Sequence, residues 1–539
     1  MLFAKSSLLK SSVSAVALAS LLIVGGCNRG DKGQGALKSN EISALNLNKA
    51  DSKIFSQYFE VEACAADEME SLGALAGLGI GESGDSGVTY ARRDIDGSKV
   101  TYTNLEIQDE DNETDLFAAE TATFYCASMK DDGPVFDRLD LKNAKIQSDQ
   151  AKINFETLNV SQPTASAAAS LVEGMLDPVG NTQTGDVGFG GISLTGATMS
   201  GEGFEGKLEA LAWGEKPDDS SQSLANMMID KLFFTFTNPD NENKTQLNFD
   251  GMSARNIAMG KLDASSVSTT GMFGSVFEGL TLHKKPYDEF HVGEFIVDNP
   301  NFNIDFKGVE AKATEKGDVI TIKQSLKPLT IKLSPEMRKD PLIGQNYDYL
   351  EALGFETMSF SGSSVSVLDK AKDSISVTDG LLVMEDAFRM NFEYSAIGLN
   401  EMVDTLKNMT DLELRQEPMK AYDSLKLKSL RYTLEDNSIT ERGLRLASKM
   451  TGQSEKAIKG MLGVAVLGAG LAAENDLQAE IYTEAGSAFA DFVKDGGTLT
   501  FEINPPEPFP LTSLLSNGGE DVDPAALGFS AIQENADAE

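Results

Sequence analysis

Histidine is almost missing from this chain: His283 and His291 are the only two in 539 residues. A zinc hydrolase of the His-Glu-x-x-His kind, or a serine nucleophile activated by histidine, would have to draw on those two. No Gly-x-Ser-x-Gly turn supports such a nucleophile, and no Ser-x-x-Lys pair with its companion motifs follows residue 27. Tryptophan occurs once, as Trp213, whereas sugar-binding clefts usually present several aromatic faces. Basic charge is in deficit, with 46 Lys and Arg against 83 Asp and Glu and a net charge of −37. A chain so acidic repels nucleic acid and anionic headgroups, and no basic cluster interleaved with aromatics offsets this, so nucleic-acid binding is excluded. The carboxylate surface fits solubility in salty surroundings first, with a basic protein partner or loosely held divalent cations as narrower uses. Catalysis by a pair of carboxylates survives these exclusions, because 83 acids offer many pairs that sequence cannot rank.

What is present begins at the first residue. Lys5 and Lys10 precede an apolar run from Val13 to Val24, which ends in Val24-Gly25-Gly26-Cys27. The run is too short for a spanning helix and is flanked as a signal segment is. These residues resemble the signal and lipobox of a bacterial lipoprotein. The resemblance implies cleavage before Cys27, a lipid on its sulfur, and a mature chain held to the lipid bilayer outside the cytoplasm. Asn28 in place of aspartate implies the periplasmic face of the outer membrane, by the sorting rule of enteric bacteria. With Cys27 lipidated, Cys64 and Cys126 remain as an even pair in an oxidising compartment, and a disulfide between them is expected. It would close a loop of about 62 residues, worth roughly 4 kcal/mol by loop-closure entropy. The alternative is two buried free thiols, since the pair has no motif spacing.

Texture divides the rest. Residues 1–26 read as the signal and 27–52 as a polar tether with Gly30, Gly33 and Gly35. Ile54, Phe55, Tyr58, Phe59 and Val61 are spaced for a short helix leading to Cys64, and a Gly-rich connector runs from Leu72 to Gly87. From Val100 the period becomes two, as in Leu139 and Leu141 or Leu158 and Val160, with turns at Asp96-Gly97 and Asp132-Gly133-Pro134. A helix over Thr164–Met175 closes a first β-rich unit, 53–178. A second, 179–333, opens with many glycines and carries alternating Phe234 and Phe236, Leu247 and Phe249, Phe302, Ile304 and Phe306, and Leu329, Ile331 and Leu333; a phase slip at Gly308 predicts a bulge. Mixed strands and short helices fill 334–397, including Phe388, Met390, Phe392 and Tyr394 on one strand face. Residues 398–510 read as a helical subdomain with helices over 399–409, 438–450, 454–473 and 476–494, and a final strand at Leu499, Phe501 and Ile503. Residues 511–539 read as an acidic tail, and its end, Glu520 to Glu539, which has acids but no base, is expected to be loose.

Three stretches imitate functional motifs. Val464 to Ala473 looks like the strand and glycine turn of a dinucleotide site, but Ser454-Glu455-Lys456-Ala457-Ile458 reads as a capped helix running into it, and too little chain follows for a nucleotide domain. A helix packed closely through its glycines is expected instead. Asp109, Asp111, Glu113 and Glu120 mimic calcium-loop ligand positions, yet Thr114 stands where the turn needs glycine, so a solvated hairpin tip is expected, with calcium as the alternative. His283 and His291, with Asp288 and Glu289 between them, meet no known ligand spacing.

The expected fold is therefore α+β and β-rich: long antiparallel sheets, as an elongated sandwich or a groove, with a C-terminal helical subdomain. No cofactor is expected. The strands from Val100 to Tyr394 resemble in texture the periplasmic β-groove proteins that carry lipids, without a motif and so without functional residues to carry over. The expected role is a non-enzymatic envelope lipoprotein for binding or scaffolding, with a hydrophobic ligand as one cargo and a carboxylate-dependent periplasmic hydrolase as the rival. An open apolar trough favours the first, and a cleft with two buried acids favours the second.

Overall fold

The computed structural model describes residues 49–535, apart from 62–63, 65, 85–86, 109–114, 132, 149–150, 177–187, 218–222, 239–242, 260–284, 301, 340–343, 409–419, 421, 463–475 and 516–523. The chain forms two compact units, one reaching Gly279 and including Val292–Glu294, the other made of Leu280–His291 and Phe295–Glu539. Both are built on antiparallel sheet, as expected for a chain whose apolar residues recur every second position.

In the first unit the strands are β1 (Val88–Thr89), β2 (Arg92–Asp96), β3 (Lys99–Gln108), β4 (Leu116–Tyr125), β5 (Ser128–Lys130), β6 (Gly133–Val135), β7 (Arg138–Gln147), β8 (Ala151–Ser161), β9 (Gly191–Gly201), β10 (Phe204–Pro217), β11 (Ser223–Thr237) and β12 (Lys244–Met259). β1 and β2 both pair with β3, and from there neighbours follow in the order β3, β4, β7, β8, β9, β10, β11, β12, while β5 and β6 form a separate hairpin. Strict alternation breaks at a matched level across the long strands, and β11 and β12 carry a second register shift between Ala225 and Met227. Inward residues are three apart at Tyr102 and Leu105, Ala119 and Ala122, Leu141 and Ala144, Phe155 and Leu158, and Leu208 and Leu211. At each break one residue drops out of register, and on alternate strands that residue has a left-handed backbone: Asn104 (φ 49°), Asn143 (φ 45°), Gly196 (φ 62°) and Lys231 (φ 42°). A bulge in one strand alone would reverse its faces; repeated in every neighbour, it leaves pairing intact and keeps the apolar set on one side.

Two helices cover that side, α2 (Glu68–Gly77) and α3 (Ala165–Leu176), after α1 (Lys49–Phe55) near the start. Asp67 caps α2 by accepting from the Glu70 N–H at 2.9 Å. Ala74, Leu75, Ala167, Ala168, Val172 and Met175 bury against Val100, Tyr102, Leu105, Phe117, Phe124 and Leu139 in one core. Tyr102, Phe124 and Phe136 meet edge to face within it. The opposite face of β7–β11 is covered by the first described segment, where Phe55, Tyr58 and Phe59 pack on Ala210, Ala212 and Met228.

The second unit contains β13 (Glu289–Val292), β14 (Phe295–Asp298), β15 (Phe302–Phe306), β16 (Val309–Lys316), β17 (Val319–Leu333), β18 (Thr357–Asp369), β19 (Ser374–Met384), β20 (Phe388–Ile397), β21 (Lys426–Asp436), β22 (Thr498–Ile503), β23 (Phe509–Pro510) and β24 (Phe529–Glu534), with Val292 counted in the first. Pairing runs β14, β15, β17, β18, β19, β20, β21, β22, β24, with β16 beside the first half of β17. The phase slip expected at Gly308 falls there: Gly308 has φ 111° and separates β15 from β16, both paired to β17. Among the described residues the helices of this unit include α4 (Gly344–Leu353), α5 (Leu399–Asn408), α6 (Ile439–Thr451) and α7 (Asp476–Asp495), residues 455–462 are also helical, and two short helices, Leu511–Leu515 and Pro524–Leu527, follow. α6 ends on Gly452 (φ 69°), whose N–H returns to Ser448 O at 2.9 Å.

Several expectations change. The opening helix starts at Lys49, inside the expected tether, and the helix Glu68–Gly77 takes in residues 72–77 of the expected connector. The expected break at 178/179 lies inside the first unit, where β8 pairs with β9. The tail is not wholly loose: Phe529–Glu534 is a strand paired with β22, because Phe529 and Ala531 complete the apolar face despite the acid-only charge around them. In the C-terminal part, helices pack on strands β21, β22 and β24 rather than on each other alone. Within each unit, residues of helices and their connections pack on the apolar face.

Candidate functional site

The residues singled out from sequence are scattered. Cys27 and the calcium candidates Asp109, Asp111 and Glu113 lie outside the described residues, as does His283. Glu120 is exposed on β4, where its carboxylate accepts from the Asn143 amide across to β7. His291 is in β13, while Asp288 pairs with Lys285 and Glu289 with Lys312 at 2.8 Å. Among the described residues no three His, Cys, Asp or Glu side chains are grouped as metal ligands would be. The chain before the glycine stretch is helix at 455–462, not strand, and 463–475 lie outside the description. Close packing through its glycines is not seen at Gly460, where an added Cβ would meet nothing within 4 Å. On the α7 side, Ile458 and Leu462 pack on the cluster that holds Ala488, Phe492 and Val493, while Phe489 is exposed.

Cys64 and Cys126 do come together. The expected disulfide is not formed between them, but the Cys126 thiol lies against Cys64 and against Ser98 Oγ at 3.7 Å. Burial first, then the neighbouring Cys64, pushes the Cys126 thiol far up.

Buried carboxylates, the requirement of the hydrolase reading, are spread out. Asp115 and Asp140 are separated by a strand length, on the order of 25 Å at about 3.3 Å per residue. Asp369, in the other unit, is bound to Lys372 at 2.7 Å.

What the structure adds is the state of the second unit's apolar face. Cross-strand registers line up Phe306, Leu329, Phe360, Met384 and Phe388 in one row. The next rows are Leu382, Met390, Leu434 and Leu499, then Gly380, Phe392, Tyr432 and Phe501. Tyr394, Leu430, Ile503 and Phe529 follow. The reverse face is polar, with Arg389, Asn391 and Glu393 exposed and Thr433 bonded to Thr500 at 3.3 Å. Helices close the face only at its margins. Phe355 and Ile439 cover Met358, Phe360, Met384 and Phe388; Leu444, Ile458 and Phe492 cover Leu434, Leu499 and Phe501; Ile481 and Leu527 cover Ile503 and Phe529. Arg442 fixes one margin by donating to Leu353 O (3.0 Å) and Gly354 O (2.7 Å) while lying over the Phe355 ring.

Between those margins Leu382, Met390, Phe392, Tyr394 and Leu430 are half-buried and Tyr432 is 38% exposed. Phe392 and Tyr432 stack at 6.3 Å, and Gly380 leaves room for the Phe392 ring, since a Cβ there would stand 2.6 Å from it. Burial, then the adjacent Tyr432, raises the Tyr394 phenol above its ordinary value. The same face continues through the half-buried Phe302, Ile304, Phe306 and Ile331. From β15 to β21 it spans about 24 Å at the usual strand spacing of about 4.8 Å. Such a surface has little acid–base chemistry to offer and much apolar area, at about 25 cal/mol per Å² removed from water.

A family described only as "Uncharacterized protein" matches residues 381–534. The match takes in β20 to β24 and the helices α5 to α7. No curated protein matches the chain.

Proposed function

We propose that this protein is a membrane-anchored envelope lipoprotein, non-enzymatic, whose second unit holds the acyl chain of a lipid on its half-covered apolar sheet face. The observation that supports this most is the row of Phe392 and Tyr432, flanked by Met390 and Tyr394, which stays partly wet between helical margins although each residue is apolar for most of its surface. An exposed apolar patch of this extent is unusual unless something occupies it. An acyl chain suits it because its width is that of an extended long chain and each buried CH₂ contributes about 0.8 kcal/mol. The polar reverse face and the acidic surface disfavour a bilayer-embedded body, and among the described residues no helix is long and apolar enough to cross a membrane. Anchorage then rests on Cys27, with the outer membrane's periplasmic face as its place.

Photoactivatable fatty acid incubated with the purified full chain tests the cargo. Cross-links are expected on the peptides of β20 and β21, and Phe392→Glu should weaken fatty-acid binding at least tenfold with an unchanged unfolding temperature. Cross-links confined to other strands, or equal binding by Phe392→Glu, would overturn the reading. For the anchor, Cys27→Ser should leave the protein unprocessed or soluble on membrane fractionation, and an unmodified Cys27 in wild-type protein would remove it.

A further inference from the structure

With a net charge of −37 the chain as a whole repels anions, so a corner where cations gather is a local exception. One lies on α6. Arg442, Arg445 and Lys449 are three and then four residues apart, which puts them on one side of the helix. Arg445 pairs with Glu441 at 2.8 Å, and Lys449 lies 3.8 Å from Glu351, a carboxylate that Arg338 also reaches at 2.8 Å. Arg442 meets no carboxylate among the described residues. It donates to Ser438 Oγ at 2.8 Å, to Leu353 O at 3.0 Å and to Gly354 O at 2.7 Å, and its guanidinium stands 4.0 Å from the centre of the Phe355 ring. These neutral partners orient the cation without cancelling its charge, and none of the bonds uses Nη2. Arg445 comes to the same corner. A Cβ on Gly354 would stand 2.7 Å from the Arg445 Nη1 and 3.6 Å from the Arg442 Nη1, so the two nitrogens are no more than about 6.3 Å apart. Like charges at that spacing repel, and an anion set between them removes the repulsion.

The corner adjoins the half-covered apolar face. Phe355, under the Arg442 guanidinium, packs with Phe360, Met384 and Phe388. Two residues farther along β20, about 6.6 Å at about 3.3 Å per residue, Met390 is half-buried and the partly wet rows begin. We propose that Arg442 and Arg445, with Lys449 beside them, hold the phosphate head of the lipid whose acyl chain lies on that face, so that the cargo is a phosphate-bearing lipid and not a neutral one. This rests on the acyl-chain reading above and adds the class of head to it. Guanidinium groups suit phosphate because each offers two parallel N–H donors to two of its oxygens. Arg445 and Lys449 are exposed and reach a head from solvent, while Arg442 is held in place by its three bonds and its ring.

The test titrates the purified full chain with two lipids that carry the same single acyl chain, lysophosphatidic acid and monoacylglycerol. Wild-type protein should bind the phosphate-bearing lipid at least tenfold more tightly, and high salt should remove most of that preference, because the exposed ionic contacts are screened. Arg442 also fixes a helical margin, so the variant of choice is Arg445→Gln with Lys449→Gln, at exposed positions. Its preference should fall below threefold with an unchanged unfolding temperature. Equal binding of the two lipids by wild-type protein, or a preference undiminished in the variant, would overturn the head site. Inorganic phosphate separates the sources: if it binds as tightly as lysophosphatidic acid, the corner is a site for free phosphate and the lipid head is overturned. The acyl-chain reading is judged apart from this, on the uncharged lipid alone. If Phe392→Glu binds monoacylglycerol as wild type does, that reading fails whatever the head preference shows.

Discussion

The two units spend the same apolar alternation differently. In the first, α2 and α3 lie over the middle of the sheet, and Val100, Tyr102, Leu105, Phe117 and Phe124 are completely buried. In the second, the helices border the sheet, and Met390, Phe392 and Tyr394 on an equally regular strand keep part of their surface in water. Even the first unit opens away from its helices, where Phe236 on β11 is 43% exposed. Where helices fall, not how strongly a strand alternates, decides whether an apolar face becomes a core or a surface.

That contrast can be broken at its strongest point first. Arg138 and Asp140 form a buried ion pair at 2.6 Å, with side chains 4% and 7% exposed. Burial pushes the Asp140 carboxyl up and the Arg138 guanidinium pulls it back. Removing the guanidinium strands a buried acid, so Arg138→Ala should cost about 3–5 kcal/mol in denaturant unfolding. Phe124→Ala, in the closed core, should cost about 3–5 kcal/mol by the same measurement. If both substitutions cost under about 1 kcal/mol, the first unit is not closed as described.

Alkaline unfolding compares the units directly. Burial raises the phenols of Tyr102, in the first unit, and Tyr287, in the second, from 10 to about 12. The folded chain therefore keeps both protons to higher pH than the unfolded chain. The stability this represents is whole below about pH 10 and is lost as pH rises to about 12, on the order of 2 kcal/mol for each tyrosine. Ultraviolet titration with Tyr102→Phe and Tyr287→Phe variants should show the missing late-ionising phenol in each case.

Gly214→Ala sharpens the comparison where Phe55, Tyr58 and Phe59 cover the first unit's sheet. The new Cβ would push into Tyr58, costing about 1–3 kcal/mol as overpacking does, and trypsin should reach Lys53 sooner. The smallest effect is expected in the open face: Phe392→Ala should cost about 1 kcal/mol, half the burial of a core phenylalanine, while fatty-acid binding falls. A cost equal to that of Phe124→Ala would mean that the second face is as closed as the first.

Much of the architecture was legible. Alternation at Leu139 and Leu141 or at Phe388 to Tyr394 announced strands, and the helix expected over 164–175 appears at Ala165–Leu176. The recurring bulge had a signal that could have been read, since apolar residues three apart such as Tyr102 and Leu105 recur from strand to strand. Its extent depends on register between strands, which no single strand encodes. Cys64 and Cys126 were paired by parity alone, and it took the end of β4 folding back beside the first described segment to set one sulfur against the other.

Sequence by itself determined the local terms: period-two strands, capped helices, a surface dense in carboxylates, and the scarcity of histidine, because each follows from the chemistry of residues close together in the chain. Tertiary structure decided which face of each strand meets a helix and which meets water. Phe124 and Phe392 sit in similar local patterns, and one is core while the other is part of a half-covered face. The difference comes from covering residues such as Leu75 and Val172, which approach Phe124 across long stretches of chain and have no counterpart over Phe392 among the described core clusters. Burial is a property of partners brought from elsewhere, and a strand's own sequence does not carry them.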